Sequence, residues 1–351
     1  MEENNFQFST FNFQLSKPRA LITGASGFIG GFLVEEALRR GYEVWAGVRK
    51  GSDLSGLRDK RIHLIDLKYD DKEALIAQLK EACKEAKWDY IVHNAGLTKT
   101  TDKRKFYQVN AAYTRNLAEA LAAAGCHPRK FLLMSSLSSF GAGDEKGFKP
   151  IRLDDPQTPE TDYGKSKLEA ECYLRVQTHF PYIILRPTGV YGPGEKDYLM
   201  AIKSISSGFD FTVGLSPQRI TFIYVKDLVR AAFMALEQET IRNKAYFVAD
   251  GDVYSDAEFA RIVRQMLGRK FVLRARIPAG LVYAACVASE WIGKLLGKSM
   301  TLNTDKYIIL KQRNWICDVA PLQDELGFQA EYPLRKGLEE SIAWYREAGW
   351  L

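Results

Sequence analysis

The sequence is poor in cysteine and poorer in histidine. Cys83, Cys126, Cys172, Cys286 and Cys317 are scattered along 351 residues, and the chain has 4 histidines. No pair of cysteines has CxxC spacing and no His/Cys/carboxylate cluster has metal-ligand spacing, so a zinc or dithiol site is excluded and no metal is expected. An odd, unclustered set of thiols suits a reducing compartment, and the cytoplasm is expected. Runs of like charge are also missing. The 49 basic and 43 acidic residues are dispersed, for a formal net charge of +6. That argues against nucleic acid as a partner and leaves a mild attraction for anionic ligands.

A membrane-spanning run is absent too. The most apolar stretch, IPAGLVYAACVASEWIGKLLG at 277–297, is interrupted at Ser289 and Glu290, well short of the ~20 apolar residues a spanning helix needs. It reads as a buried or substrate-lining helix, with an interfacial helix as the lesser alternative. Residues 1–17 open on acids and alternate aromatic with polar residues, unlike the basic-then-apolar plan of a signal peptide. They read as a short extension or an edge strand.

What the chain does have is rhythm. RALIT (19–23), EVWAGV (43–48), RIHLID (61–66), DYIVHN (89–94) and KFLLMSS (130–136) are β-branched or apolar runs separated by helix-like segments, and YIILRP (182–187) follows. Repeated βαβ units imply an α/β, doubly wound parallel sheet with right-handed crossovers. Residues 188–220 are rich in Gly, Pro and Ser and read as loop. ITFIYV (220–225) reads as a further strand of the main sheet, followed by a helix from Asp227, and the chain is mostly helical from about 255. The expected division is a dinucleotide-binding domain from 1–186 plus 221–250, and a smaller, mostly helical substrate lobe from 187–220 plus 251–351.

ALITGASGFIGGFLVEEALRRG (20–41) is the strongest local signal. Gly24, Gly27 and Gly30 stand between a strand and a helix: Gly24 for the tight turn, Gly27 for close approach of a pyrophosphate, Gly30 for helix-strand packing. The helix N-terminus would offer its free N–H groups to the phosphates. At the end of the second strand, where an NAD site commonly has an acid, the chain has Arg49 and Lys50. A guanidinium can pair bidentately with a 2′-phosphate, so NADP is favoured, with NAD as the alternative. Arg49 also suits a solvated surface. Asp66, at the end of the third strand, is a candidate partner for the adenine amino group or a cap for the next turn.

TDYGKSKLEAE (161–171) places Tyr163 and Lys167 on one helix face, which by itself fits surface decoration as well as chemistry. The order of motifs decides. TGASGFIG, HNAG (93–96), VNAAYTRNLAEA (109–120), MSSLSSFG, YGKSK, LRPTGVYGPG (185–194), FIYVKDLVRA (222–231) and LRKGLEESIAWY (334–345) occur in the order and spacing of the extended short-chain dehydrogenase/reductases, which the chain resembles over nearly its whole length. The resemblance implies a Rossmann fold and makes Tyr163 the general acid/base, Lys167 its partner and ribose ligand, and Ser136 the residue that orients the substrate oxygen. Ser136 is selected by counting back from Gly141, with Ser135, Ser138 and Ser139 as neighbours that suit turn caps. Lys167 is expected to lower the Tyr163 pKa. The resemblance also puts Ser26, Phe28, Ile29, Leu67, Asn94, Ala95, Gly96, Asn110 and Pro187 around the cofactor, Asn110 holding backbone or a water near Lys167. His93 reads as a buried, satisfied histidine. A small-molecule substrate is implied, and a homodimer is compatible.

Departures narrow the activity. The Asp-Glu pair of the family's dehydratases is replaced by Leu137 and Ser138, which disfavours dehydration. The Arg that epimerases place seven positions before the Asp of VxD falls on Ile220, with Arg219 one step earlier. VRKGSDLSGL (48–57) is similar to the matching segment of dihydroflavonol-reductase-like enzymes and hopanoid-associated sugar epimerases. A reductase or dehydrogenase acting on a carbonyl or secondary alcohol is expected first, a sugar epimerase second, and a non-catalytic NADP-binding sensor third; the complete Ser136, Tyr163, Lys167 set argues against the sensor.

Overall fold

A computed structural model describes residues 17–177, 179–296, 300 and 302–351. The expected extension or edge strand at the N-terminus lies almost wholly outside the described residues. Six strands come first: β1 Arg19–Thr23, β2 Glu43–Gly47, β3 Ile62–Ile65, β4 Tyr90–His93, β5 Lys130–Met134 and β6 Tyr182–Pro187. Four more follow before the large sheet is rejoined: β7 Gly189–Tyr191, β8 Phe209–Val213, β9 Arg219–Ile220 and β10 Phe222–Tyr224, then β11 Lys244–Val248. The large sheet has the order β11-β6-β5-β4-β1-β2-β3, and its pairings are all parallel.

Successive residues of each strand leave the sheet on opposite faces. Ala20, Ile22, Leu132 and Leu185 pack one way, under the helices Phe28–Arg39 and Val225–Glu237. Leu21, Ile91, Phe131 and Ile184 pack the other way, where Leu75, Leu117 and Leu174 cover them from three further helices. Both faces are buried, hence the near-continuous apolar runs. Strand order reverses between β1 and β4, and ligands of such sheets bind beyond the strand ends at that switch point.

Two expectations are corrected. Residues 220–225 do not join the large sheet: β10 pairs with β7 in a separate two-stranded sheet, and β9 pairs with β12 Tyr254–Ser255. The seventh strand is instead β11, reached through the helix Val225–Glu237. An apolar, β-branched run satisfies either partner equally, and only the crossover helix selects between them. The 188–220 segment is also more ordered than its composition suggests, because the helix Asp197–Ser206 buries Leu199, Ile202 and Ile205 into the smaller core with Phe222, Tyr224, Val263 and Leu338. Two further strands are described, β13 Leu273–Ile277, parallel to β8, and β14 Asn314–Trp315, parallel to β9.

Candidate active site

The glycine-rich turn closes over the switch point. Gly24 has φ +64°, and a Cβ there would lie 2.9 Å from backbone atoms of Asn94 and Ala95. Ala95 N–H donates to Thr23 Oγ1 at 3.0 Å, so the two strand ends are locked together. A Cβ on Gly30 would sit 2.0 Å from the Gly24 carbonyl oxygen, which explains the helix's close contact with the turn. Around Gly27 a Cβ would meet only that carbonyl, at 3.3 Å. Gly27 is the N-cap of the helix Phe28–Arg39, and no side chain caps it. A cleft of about 530 Å³ opens here, walled by Ser26, Gly27, Phe28, Asp53, Thr98 and Lys196 among others. An uncapped helix end facing an open cleft, with no Cβ in the way, fits a pyrophosphate.

The other expected nucleotide residues are distributed around this end. Arg49 and Lys50 are exposed, and among the described residues the Arg49 guanidinium makes no ion pair; its backbone N–H donates to Ser52 Oγ at 3.1 Å. Asp66 is paired with Lys68 at 2.7 Å, and Leu67 is buried. Asp53, not singled out from the sequence, lines the same cleft while accepting the Ser55 N–H at 2.9 Å. Ile29 packs against the core under the helix, and Pro187 is buried at the end of β6.

The chemistry-bearing side chains meet where the helix Asp162–Val176 crosses the end of β5. Thr161 caps that helix, accepting from Gly164 N–H at 3.0 Å, and a Cβ on Gly164 would lie 2.3 Å from the Ser138 carbonyl oxygen. Only glycine lets the helix approach the 136–139 turn this closely, which brings the Tyr163 phenol against the Ser136 hydroxyl. The structure also separates the serines. Ser135 and Ser139 donate to buried Glu171, whereas Ser136 caps its own turn, accepting Ser138 N–H at 3.2 Å, and faces Tyr163.

Lys167 is buried; its Nζ donates to the Met134 carbonyl at 2.9 Å and lies 6.0 Å from the Tyr163 ring centroid. Burial pushes the ammonium down to about 8, with Glu171 pulling the other way. The expected lowering of the phenol is not found in the chain alone. Burial holds Tyr163 above the ordinary tyrosine value, opposed by Ser136, and the Lys167 ammonium, bonded to the Met134 carbonyl, is not among the groups that lower it.

Asn110 clamps the loop that follows β4. It donates to the Leu97 carbonyl at 3.1 Å, accepts the Leu97 N–H at 2.7 Å and donates to Ser166 Oγ at 2.9 Å. It sits in a π-helical turn, Tyr107–Ala112, a distortion often found at functional sites. Gly96 lies against both Lys167 and Asn110, its Cβ position 3.1 Å from Nζ and 3.3 Å from Oδ1. His93 is buried as expected, with Nδ1 at 2.9 Å from Thr23 Oγ1, but Nε2 has no hydrogen-bond partner among the described residues; burial lowers it to about 3, so it stays neutral.

The sequence reading missed the buried group behind the serines. Glu171 is fully buried and accepts from Arg186 at 2.8 Å, Arg175 at 2.6 Å, Gln157 at 3.1 Å and Ser139 at 2.9 Å, as well as from Ser135. Burial would raise its carboxyl, and Arg186 together with Ser135 and Gln157 outweighs this, holding it below the ordinary value. Its place four residues after Lys167, on the same helix face, was the available signal. Beside Tyr163 a second cleft of about 190 Å³ is lined by Lys103, Phe106, Asp197, Asn303 and Lys306, and shares Thr98, Lys99 and Asp197 with the first. Arg219 is exposed on β9 while Ile220 packs into the smaller core, and Asp227 is buried holding the backbone of Glu331 and Tyr332.

A doubly wound sheet with a glycine turn at its switch point and a Tyr-Lys pair beside a serine defines an extended short-chain dehydrogenase/reductase. A family model, the NAD dependent epimerase/dehydratase family, matches residues 20–249, and the chain belongs to that family. It is therefore an enzyme that uses a nicotinamide cofactor on a small-molecule substrate. It is 26% identical to a UDP-glucose 4-epimerase of Vibrio cholerae over 93% of this chain and 95% of that one. It is 25% identical to a ceramide reductase of Caulobacter vibrioides, covering 94% and 95%. Among solved structures, WbmG of Bordetella bronchiseptica in complex with NAD and UDP superposes with a TM-score of 0.74 at 22% identity, covering 95% of this chain and 97% of that one, a likeness of fold. Among the described residues no helix is long and apolar enough to cross a membrane, and no group of His, Cys, Asp and Glu could hold a metal ion.

Proposed function

We propose that this enzyme is a reductase or dehydrogenase that interconverts a carbonyl and a secondary alcohol, with NADP(H) preferred. The observation that carries this is Tyr163, which has Ser136 acting on its phenol and lines the second cleft, and that cleft shares Thr98, Lys99 and Asp197 with the glycine-turn cleft. When bound, the cofactor supplies or accepts the hydride. The chain does the rest: Tyr163 donates the proton to the substrate oxygen in the reductive direction, Ser136 orients that oxygen, and the buried Lys167 ammonium binds the ribose and supports the phenol's negative charge as it develops. A phenol raised by burial is fully protonated at neutral pH, which suits the reductive direction.

The turn after β1 and Ser26 to Gly30 would hold the pyrophosphate. Arg49 and Lys50 would take the 2′-phosphate, Asp66 and Leu67 the adenine, and Asn94 to Gly96, Asn110 and Pro187 the nicotinamide side. Residues 187–220 and 251–351 form the substrate lobe in this reading, since Asp197, Asn303 and Lys306 wall the cleft beside Tyr163. The test is a panel of carbonyl compounds with wild type and Tyr163→Phe, followed at the nicotinamide absorbance. Net consumption of NADPH by wild type is expected, with turnover of the variant down by roughly 10²–10⁴-fold and its NADPH affinity nearly unchanged. Conversion of substrate without net NADPH consumption would instead identify an epimerase. Turnover of Tyr163→Phe within a few-fold of wild type would refute the role given to Tyr163.

A further inference from the structure

The wall of the second cleft has an outer side that the catalytic reading leaves unexplained. Helix Ala279–Leu295 contributes Glu290 to that wall and buries a narrow seam at Val282, Cys286 and Gly293. Its other positions from Gly280 to Ile292, apart from the half-buried Ser289 and Glu290, are exposed, uncharged and, except for the Tyr283 hydroxyl and the Trp291 indole N–H, without a polar side-chain group. Leu281 is 64% exposed, Trp291 63%, Leu295 67% and Leu296 63%. A helix on a water-facing surface carries polar residues outward; this one is inverted. β13 leads into the helix through Pro278, and Leu273 on that strand, Phe271 just before it and Phe211 on its partner β8 are also exposed.

The chain that leads into the helix carries charge of one sign. From 269 to 289 the chain holds four cations, Arg269, Lys270, Arg274 and Arg276, and no acid. Arg274 is already paired with Asp210 and Asp256. Arg269, Lys270 and Arg276 are exposed and make no ion pair among the described residues, Arg276 donating only to the Leu215 carbonyl. An apolar helix face flanked by unpaired cations is the composition of an interfacial helix, and no described helix could span a bilayer.

We propose that this face docks onto the surface of an anionic lipid bilayer. Leu281, Trp291 and Leu295 enter the acyl boundary while Arg269, Lys270 and Arg276 meet headgroup phosphates. A second copy fits less well. A two-fold interface sets the same patch against itself, so the unpaired cations of one copy would face those of the other with no acid between residues 269 and 289 to answer them. Docking also has a consequence for the enzyme. Glu290, on the same helix, is bonded to Thr304 at 2.9 Å, and both line the cleft beside Tyr163, so the cleft is carried to the lipid surface.

The test is cosedimentation of the full chain with vesicles of phosphatidylcholine plus phosphatidylglycerol, and of phosphatidylcholine alone, which needs no substrate and so stands or falls apart from the catalytic reading. Binding to the anionic vesicles that weakens with salt is expected. Leu281→Glu with Trp291→Glu should weaken it by roughly ten-fold or more, and Arg269→Gln with Lys270→Gln by about five-fold per cation. NADPH affinity should be unchanged in both, which shows that the variants are folded. Failure of the wild type to sediment with anionic vesicles would overturn the proposal. So would equal binding to neutral vesicles, or a dimer in light scattering that Trp291→Glu dissolves while vesicle binding is absent.

Discussion

Replacing Glu171 by Gln keeps the side chain's shape and removes its charge, and the surroundings make the consequence calculable. The carboxylate is fully buried, and Arg186, 2% exposed, pairs with no other anion among the described residues. Arg186 also lies over the rings of Phe140 and Phe247, whose centroids are 4.9 and 5.7 Å from the guanidinium carbon. Those rings attract the cation in both proteins and cannot compensate for the lost anion. Removing one partner of a buried pair costs about 3–5 kcal/mol, a large part of the ~5–15 kcal/mol by which folded proteins exceed unfolded ones. Arg175, more exposed, can turn to water and adds little.

The assay is urea denaturation followed by fluorescence and circular dichroism, comparing midpoints. Glu171→Gln should unfold at clearly lower urea, and Glu171→Leu combined with Arg186→Met should recover most of the loss, since an apolar pair needs no counter-charge. The pH dependence follows with a definite sign. The Glu171 carboxyl is held below 4.5 when folded, so the wild type has its contribution above that value and loses it as pH falls through the folded pKa. Glu171→Gln should lack that part of the acid sensitivity. A Gln variant within about 1 kcal/mol of wild type, or a double variant no better than the single one, would refute the reasoning.

Three other expectations concern the site. Arg49→Asp should weaken NADPH binding by about 10–150-fold, from the ~1.5–3 kcal/mol of a charge-assisted contact, and leave NADH binding equal or better by calorimetry; because Asp53 already lines the cleft, a wild type that prefers NADH would count against Arg49 as the phosphate ligand. The pH profile of kcat/KM should fall as pH rises through about 8, where the buried Lys167 ammonium loses its proton, and this limb should be absent from the residual activity of Lys167→Met. Gly30→Ala should cost about 1–3 kcal/mol of stability through overpacking and abolish cofactor binding, because the new Cβ would fall 2.0 Å from the Gly24 carbonyl oxygen; unchanged affinity by titration would show that the turn can yield.

By itself the sequence determined what is local or repeated. The βαβ rhythm was readable because strands buried on both faces must be apolar runs, and the glycine turn because φ +64° at Gly24 and the contact at Gly30 admit no other residue there. Tyr163 and Lys167 were readable as one helix face, and their chemistry through the order of the surrounding motifs. The tertiary structure decided the rest, because it depends on which distant segments meet. It assigned the seventh strand to Lys244–Val248 rather than 220–225, a choice made by a crossover helix. It told the serines apart through Glu171, and it tied Lys167 to the Met134 carbonyl. It also built the second cleft from Lys103, Asp197, Asn303 and Lys306, residues too far apart in the chain for any spacing to join them. Local patterns carry the geometry of a few bonds; burial and pairing across the chain set the electrostatics, and no single stretch of sequence contains them.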